Sequence, residues 1–552
     1  MNKLVPQLVD VFGYLSVVLR GFTLAFESLV IGGVAFSLFV NAQPAGSSDS
    51  DLADIRRSQR KLLRISAVSL ALSQVILLFL DSTVLMGTTD MGLSDLAGAS
   101  YFVAGSVIFV SGLMIAVLSR TRSNGGIIVM SLLCVVILGA SVSTTHAVAR
   151  LDNRAGLTLL TGLHQVGAAM WIGGLPYLLV SLREAPGETV ARLWCRRFSR
   201  LAMSAVGVLV GAGILMSILY IDSIKAIYGT AYGVMVMSKV ALFLIAVGIG
   251  ALNFSVIRGA RTDASSLTTR VRRFTEAEIG IGFTVILAAA ALTSQPPAVD
   301  MQFARVSASE IVERMSPRVP RLNSPSATEL STPALQSQLN TSAADFAPPP
   351  SFVPGQTAFR PSKPADLAWS EYNHHWAGLI VMLMGLLALA SRSGGAAWMR
   401  NWPLLFGVLA VFLFLRADPE SWPLGLNGFW ISFADSEVLQ HRIFIVLIIM
   451  FAVYEWRVQN GAPVRGGVRY VFPLVCALGG ALLLTHSHSL GNIKEELLAE
   501  LSHVPLAILG VVAGWSRWLE LRLPSKDARI PSLIWPVCFV LVGVFLVNYR
   551  ES

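Results

Sequence analysis

The sequence predicts an all-α polytopic membrane protein with about fourteen transmembrane helices, arranged as eight plus six around a linker. Of the 552 residues, 54% are hydrophobic and only 14% are charged, and the mean hydropathy is +0.64. So much apolar surface cannot be buried in one soluble core, whereas a helix of about 20 apolar residues crosses the hydrocarbon. Apolar segments are centred near residues 26, 75, 108, 137, 172, 211, 244, 284, 383, 408, 449, 480, 509 and 539.

Basic residues alternate between the connections and predict the orientation. About 26 Lys and Arg fall in connections on one side, and about 7 fall in the short loops and tails opposite. The positive-inside rule puts the basic side in the cytoplasm, and an even number of spans then leaves both termini on the outer side. The net charge of +9 is divided among short loops, which excludes a nucleic-acid-binding surface.

A change of composition divides the chain into three parts. About 12 of the 25 prolines lie between residues 295 and 370, where hydrophobic periodicity is lost. We therefore expect an eight-helix domain at 1–297, a Pro-rich extracytoplasmic linker at 298–370 and a six-helix domain at 371–552. The linker composition favours a flexible tether, although its amphipathic stretch at 306–315 could instead dock on the membrane or on a partner.

The eight histidines are the first candidates for chemistry. Each lies at or near an end of a predicted span. Because successive spans cross the membrane in opposite directions, all these ends fall on the outer side. Since imidazole is a common metal ligand, the pattern predicts a metal-handling outer surface. The candidate ligands are His146, His164, His374, His375, His441, His486, His488 and His503.

Several other residues could assist these histidines. The thioether of methionine suits soft metal ions, and carboxylates could orient the ligating imidazoles. Glu500 and His503, three residues apart on one helix, could act as a pair. The methionine candidates are Met86, Met91, Met216, Met235 and Met237, and the carboxylate candidates in the outer loops are Glu371, Asp418, Glu420, Asp435, Glu437, Glu495, Glu496 and Glu500. The four cysteines, Cys134, Cys195, Cys476 and Cys538, form no CxxC motif and predict neither a disulfide framework nor a thiolate site.

Charged residues within the spans are costly when they face lipid. Arg20, Glu27, Asp81 and Lys239 should therefore face the bundle interior, as structural ion pairs or as part of a cation pathway. Trp171 and the glycines that follow it are expected to serve close helix packing rather than ligation.

The N-terminal block resembles the copper resistance D (CopD) family of inner-membrane proteins over roughly residues 10–297. A histidine ends one span, and the next contains a second histidine and a W-x-G-G-L run; here these are His146, His164 and Trp171-Ile172-Gly173-Gly174-Leu175. Further matching positions are Arg197-Phe198-Ser199, Gly211, Gly213, Thr230-Ala231-Tyr232-Gly233, Lys239, Glu276 or Glu278, and Leu292-Thr293-Ser294-Gln295-Pro296-Pro297.

The resemblance implies a copper-handling protein of the bacterial inner membrane, in which the outer side that the charge pattern predicts for both termini is the periplasm. It implies capture of copper at the periplasmic face and passage or delivery of the metal, in company with a small periplasmic copper carrier. Imidazole binds copper in either oxidation state and thioether binds Cu(I), so the candidate residues agree with this reading.

Two other readings remain open. Opposed histidines could ligate haem b axially in a membrane electron-transfer protein. Alternatively, the protein could deliver copper to a larger membrane oxidase as an assembly subunit, with the linker as a docking strap. No nucleotide-binding motif is present, so transport would run downhill or be coupled to an ion gradient. No nucleophile with its base stands out, which makes an enzyme the least supported class.

Overall fold

The computed structural model describes residues 4–40, 49–89, 92–120, 124–258, 264–302, 305–326, 329–330, 364–419, 421–425, 427–434, 436–461, 466–485 and 493–550. Within these ranges the chain forms helices and no strand, and thirteen helical segments are long and apolar enough to cross a membrane. The prediction of an all-α polytopic membrane protein is therefore confirmed. The remaining predicted segment, near residue 449, lies on the helix Ser436–Gln459, which is not among those thirteen.

The chain divides into two compact units. Unit 1 comprises Met1–Phe303 together with Leu484–Ser487, and unit 2 comprises Ala304–Leu483 together with His488–Ser552. The division falls within the predicted linker. The three boundaries expected from composition stay predictions.

Unit 1 is built from long, mostly apolar helices joined by short connections. Its helices are α1 (Leu4–Phe39), α2 (Asp49–Thr88), α3 (Leu93–Ala97), α4 (Ser100–Leu118), α5 (Asn124–Ser143), α6 (His146–Ala149), α7 (Arg154–Trp171), α8 (Leu175–Glu184), α9 (Glu188–Tyr220), α10 (Ile224–Gly229), α11 (Ala231–Arg258) and α12 (Ala264–Leu292). Helix α1 packs against α2, α7 and α12, while α7 packs against α9 and α11 packs against α12.

The fifth predicted span is broken in the middle. Helix α7 ends at Trp171, three turn residues follow, and α8 begins at Leu175 with a proline in its first turn. At this break the backbone of α1 comes very close, because a Cβ on Gly173 would lie 1.8 Å from the carbonyl oxygen of Ser28. Only glycine fits this position, which confirms the packing role expected for the glycines of the W-x-G-G-L run.

In its described residues, unit 2 contains a short amphipathic helix and six longer helices. They are α13 (Ala308–Met315), α14 (Pro364–Arg392), α15 (Leu405–Arg416), α16 (Ser436–Gln459), α17 (Val471–Leu483), α18 (Ile493–Arg522) and α19 (Ser525–Val547), with 3-10 turns at Ala397–Leu404, Ile431–Ala434 and Gly466–Tyr470. Helix α14 packs along α19, and α18 packs against both α17 and α19. Aromatic residues fill the centre, where the rings of Trp402 and Trp535 are 5.1 Å apart.

Candidate functional site

In unit 1 the first predicted ligand lies at the outer end, the end that the charge pattern assigns to the periplasm. His146 begins the short helix α6 and is exposed. Its Nε2 lies 2.7 Å from the carbonyl oxygen of Thr293, just past the end of α12. Because a carbonyl oxygen only accepts, Nε2 carries the proton and neutral His146 has its lone pair on Nδ1.

His164 lies deeper than the helix-end position expected from the sequence. It follows the start of α7 by ten residues, which is about 15 Å along the helix axis. Its ring lies over Gly213 of α9, and its Nδ1 is 3.0 Å from the carbonyl oxygen of Leu209. Nδ1 must therefore donate, which fixes the tautomer and leaves the lone pair of the imidazole on Nε2.

A half-buried methionine lies one turn beyond Gly213 on α9. Met216 follows Gly213 by three residues on α9, so the two positions are neighbours on one helix face. Met216 also packs against a small cluster formed by Ala147, Leu157 and Tyr220. Since Ala147 follows His146 directly, Met216 lies on the part of α9 that connects the surroundings of the two histidines.

One face of α11 continues inward from this region. Met235, Lys239, Phe243 and Asn253 recur at spacings of four, four and ten residues, which keeps them near one side of the helix. Met235 is buried, and Lys239 is close enough to His164 to interact with it electrostatically. Lys239 thus faces the bundle interior, as predicted for a charged residue within a span.

At the inner end of this face lies a buried carboxylate. Glu278 of α12 is 5% exposed; its Oε1 accepts a hydrogen bond of 2.9 Å from Trp171 Nε1, and its Oε2 accepts one of 3.2 Å from Asn253 Nδ2. The indole of Trp171, expected only to pack, therefore also holds a carboxylate at the break in the fifth span.

The neighbouring acidic residue has a different environment. Glu276 Oε1 is 2.6 Å from Arg273 Nη1 and 3.4 Å from Arg183 Nη2, so its charge is balanced by two guanidinium groups. Two residues apart on a helix, Glu276 and Glu278 point about 200° away from each other. Glu276 forms ion pairs with two arginines, whereas Glu278 accepts hydrogen bonds from the neutral side chains of Trp171 and Asn253.

In unit 2, two predicted ligands meet at the ring of Tyr549. The imidazole of His374 stacks on this ring with centroids 3.9 Å apart, and that of His503 meets its edge at 5.9 Å. His374 Nδ1 also lies 2.8 Å from the carbonyl oxygen of Ser370. A phenol ring thus contacts both imidazoles, and this packing offers no support for axial haem ligation by the pair.

His375 is bound by backbone groups on both sides of its ring. Its Nδ1 accepts a hydrogen bond of 2.7 Å from Arg321 N, and its Nε2 donates one of 2.9 Å to the carbonyl oxygen of Tyr549. With both nitrogens used in this way, the 5%-exposed His375 has a structural role in this arrangement.

The hydrogen bonds of His375 hold the first part of the linker. We call residues 316–325 the strap. It is fixed further by hydrogen bonds from Trp376 Nε1 to the Leu322 carbonyl oxygen and from the Arg416 guanidinium to Ser324 Oγ. Beneath it lies a cavity of about 410 Å³ lined by residues that include Arg321, His375 and Tyr549. This part of the linker is therefore bound to unit 2, and the expectation of a flexible tether is wrong for it.

Replacing His375 should release the strap. His375→Ala removes both hydrogen bonds and leaves the Arg321 amide and the Tyr549 carbonyl without their partner, at a cost of about 1–3 kcal/mol for each buried group. Cleavage by trypsin after Arg318 and Arg321 should become at least roughly 10-fold faster, since cleavage follows local opening.

His441→Ala is the matched control, because that histidine bonds to Asp418 and not to the strap. Equal cleavage rates in wild type, H375A and H441A would show that His375 does not hold the segment.

His441 has the arrangement expected of an oriented ligand. Its Nδ1 lies 2.5 Å from Oδ1 of Asp418, a carboxylate that is 6% exposed. The expectation that a carboxylate orients one of these imidazoles is confirmed for this pair. An Nδ1–H bound to a carboxylate leaves the lone pair on Nε2 and raises its basicity, as in carboxylate–histidine–metal triads.

The other predicted site residues are more scattered. Glu500 is buried one turn before His503 on α18, Met86 is exposed near the end of α2, and Met91, His486 and His488 lie outside the described residues. In the parts of the chain that the structure covers, no three His, Cys, Asp or Glu side chains are grouped closely enough to hold a metal ion. A metal site in the described parts of the chain would therefore have to include a methionine ligand, or use fewer than three His, Cys, Asp or Glu side chains.

Sequence reasoning missed a buried charge network in unit 2. Arg517 is 2.6 Å from Glu455 and 2.7 Å from Glu520, while Arg392 is 3.0 Å from Glu520. Trp535 Nε1 donates to Glu520 as well. Glu520 follows Arg517 by three residues on one helix, and this spacing was the signal in the sequence. Arg392 and Glu455 lie on other helices and gave no such signal.

The comparisons with known proteins agree with the motifs in unit 1. Residues 192–292 match the family model described as Copper resistance protein D. A Bacillus subtilis (strain 168) protein described as Copper transport protein CutJ is 31% identical over 212 residues. The aligned part is 37% of this chain and 38% of the B. subtilis protein, so the chain spans less than two thirds of the length of that relative. No solved structure matches the chain.

Proposed function

We propose that the chain is a copper resistance D (CopD) family membrane protein that captures copper through histidine and methionine at the periplasmic face of the inner membrane and passes the metal through its N-terminal helical bundle. The name of the B. subtilis relative, a copper transport protein, supports movement of copper rather than storage.

The observation that carries the proposal is the arrangement at His164. A backbone carbonyl of α9 holds its Nδ1 proton, and this leaves Nε2 as the ligating atom inside the bundle. Met216 follows Leu209 by seven residues, two turns along the same face of that helix, and follows Gly213, over which the imidazole lies, by one turn. Imidazole with thioether is a donor set suited to Cu(I), and the exposed His146 at the outer end would serve as the entry ligand.

The residues further in support a route rather than an isolated site. Met235 and Lys239 lie on the face of α11 that leads toward Asn253, and His164 and Trp171 are seven residues apart on one face of α7. Lys239 interacts electrostatically with His164. A protonated Lys239 would repel a copper ion bound at His164. This repulsion would weaken the binding of the ion and favour its release toward the inner part of the bundle.

In unit 2 the pair His441–Asp418 is the best candidate for a second copper site. We include His374, His503 and the undescribed His486 and His488 in the proposed outer histidine set, with Glu500 as an accessory group. His375 belongs to this set only if the strap moves away. A periplasmic copper carrier is the partner that such a surface would serve, and delivery to a membrane oxidase would require a stable complex.

The test is copper binding by the detergent-purified full chain, measured by competition with a Cu(I) chelator. His164→Ala and Met216→Leu should each weaken binding by more than roughly 10-fold, since even groups that only orient a ligand contribute 10–100-fold. Met203→Leu is the matched control, because Met203 is an exposed methionine of the same helix.

Copper uptake into proteoliposomes then separates binding from transport. Wild type and M203L should take up copper, and H164A should not. Unchanged affinity in H164A and M216L would contradict the site. Binding without uptake, together with a co-purifying oxidase subunit, would favour delivery over transport, and haem absorption bands would overturn the copper reading.

A further inference from the structure

We infer that Glu278 binds and releases a proton during the transport cycle, so that copper movement through unit 1 is coupled to the proton gradient. The inference rests on the proposed copper transport, but the protonation of Glu278 can be measured without it. Its basis is the unusual environment of this carboxylate.

Among the described residues, Glu278 is bound by neutral hydrogen-bond donors and has no counter-ion. Its two oxygens are bound by an indole N–H and an amide N–H, and in the described part of the chain no cation contributes to its interactions. A carboxylate withdrawn from water without a cation is strongly destabilised in its charged form, and taking up a proton removes that cost.

Three of the charged groups on α12 and on the helices around it are bound elsewhere or lie at another depth. On α11, Lys239 precedes Asn253 by fourteen residues, about 21 Å along the axis. Glu276 takes the guanidinium groups of Arg183 and Arg273, and Arg20 donates toward the carbonyl of Thr144 at the outer end. The described charged and titratable groups on these helices are Tyr14, Arg20 and Glu27 on α1, Arg154 and His164 on α7, Tyr177, Arg183 and Glu184 on α8, Glu188, Arg192, Cys195, Arg196, Arg197, Arg200 and Tyr220 on α9, Tyr232, Lys239 and Arg258 on α11, and Arg270, Arg272, Arg273 and Glu276 on α12.

Asn253 can serve both protonation states of Glu278. In the arrangement described, its Nδ2 donates to the carboxylate, and its Oδ1 is buried without a hydrogen-bond partner. Rotation of the amide by half a turn would present Oδ1 to a protonated Glu278, whose O–H would then donate. An orphaned buried acceptor beside a carboxylate with no counter-ion is what a site that gains and loses a proton requires.

The site also lies at a broken helix. Trp171 ends α7, and Ile172 in the turn packs against Gly282, one turn beyond Glu278 on α12, where a Cβ would come within 2.9 Å of the isoleucine side chain. Membrane transporters commonly bind their coupling ions where a spanning helix is interrupted. A copper ion is less suited to this position, because the nearest groups are N–H donors and no imidazole or thioether joins the carboxylate.

The coupled step is a simple acid–base reaction. The carboxylate of Glu278 accepts one proton from the periplasmic side and becomes a neutral acid, and it later releases the same proton toward the cytoplasm as copper moves inward. No electron is transferred and no other bond changes.

The direct test is infrared difference spectroscopy of the purified full chain. Wild type should show the carbonyl band of a protonated carboxylic acid at neutral pH, and the band should disappear as pH is raised. Glu278→Gln should lose part of this band, and any remainder belongs to another buried carboxyl such as Glu27. Glu276→Gln is the matched control and should retain the full band, because Glu276 is ion-paired. A wild-type spectrum without a protonated carboxylic acid, or a band of unchanged intensity in E278Q, would overturn the inference.

The coupling is tested by copper uptake into proteoliposomes with and without an outside-acid pH gradient. Wild type and E276Q should accelerate several-fold in the gradient, whereas E278Q should take up copper at one rate in both conditions. Uptake by wild type that ignores the gradient would reject coupling and leave copper transport standing. No uptake at all would reject the proposed transport, while the infrared result would still decide whether Glu278 carries a proton.

Discussion

Replacing Gly173 by alanine should prevent unit 1 from folding to its native packing. The added methyl group would lie 1.8 Å from the carbonyl oxygen of Ser28 and 2.5 Å from that of Ala169. Both are backbone atoms, so the clash can be relieved only by moving α1 away from the break after α7. Overpacking a tight interface costs about 1–3 kcal/mol, and a contact this short between backbones should exceed that range. We expect a large loss of monodisperse protein after detergent extraction and a lower melting temperature in what remains.

Gly211→Ala provides the matched control. Gly211 is also a position at which the sequence resembles the CopD family, but a methyl group there meets nothing within 4 Å. It lies in the interior of α9, where alanine is favoured over glycine by about 0.5–1 kcal/mol. G211A should therefore be as stable as wild type or slightly more stable. Equal behaviour of G173A and wild type would mean that α1 and the break are not in close contact.

The fold was predictable because membrane spans depend on local composition. An apolar run of the right length predicts a helix wherever its neighbours lie, so the segments near residues 26, 108 or 211 could be located from sequence alone. The break in the fifth span was not predicted, since residues 154–184 form one apolar segment. The signal was present in Gly173, Gly174 and Pro176, residues that interrupt helices when they occur together.

The candidate site was predictable only in part, because its partners come from distant helices. Sequence singled out His164 but not the carbonyl of Leu209 that fixes its tautomer. It also left Glu276 and Glu278 as equivalent alternatives. Their roles differ because residues two apart face opposite sides of a helix, one toward arginines and the other toward Trp171. The side that each faces depends on how α12 is rotated in the bundle, which no local pattern specifies.

The same reasoning applies to the buried charges of unit 2, where Arg517 bridges two helices. Its guanidinium contacts Glu455 of α16 and Glu520 of its own helix, and all three side chains are largely withdrawn from solvent. Glu520 is also bound by Arg392 of α14 and Trp535 of α19. Four helices thus share one network with two positive and two negative charges, in which each charge depends on the others for compensation.

Removing Arg517 should therefore destabilise unit 2 more than any surface substitution. Arg517→Met keeps much of the side-chain volume but leaves Glu455 buried without its cation, and breaking a buried pair in this way costs about 3–5 kcal/mol. Arg457→Met is the control, because Arg457 is an exposed arginine of α16. Thermal unfolding in detergent should show a clear loss for R517M and little change for R457M. The double variant Arg517→Met/Glu455→Met removes both charges and should recover part of the lost stability, since an apolar pair can replace a buried ion pair. If the double variant is less stable than R517M, the cost comes from lost packing rather than from the uncompensated carboxylate.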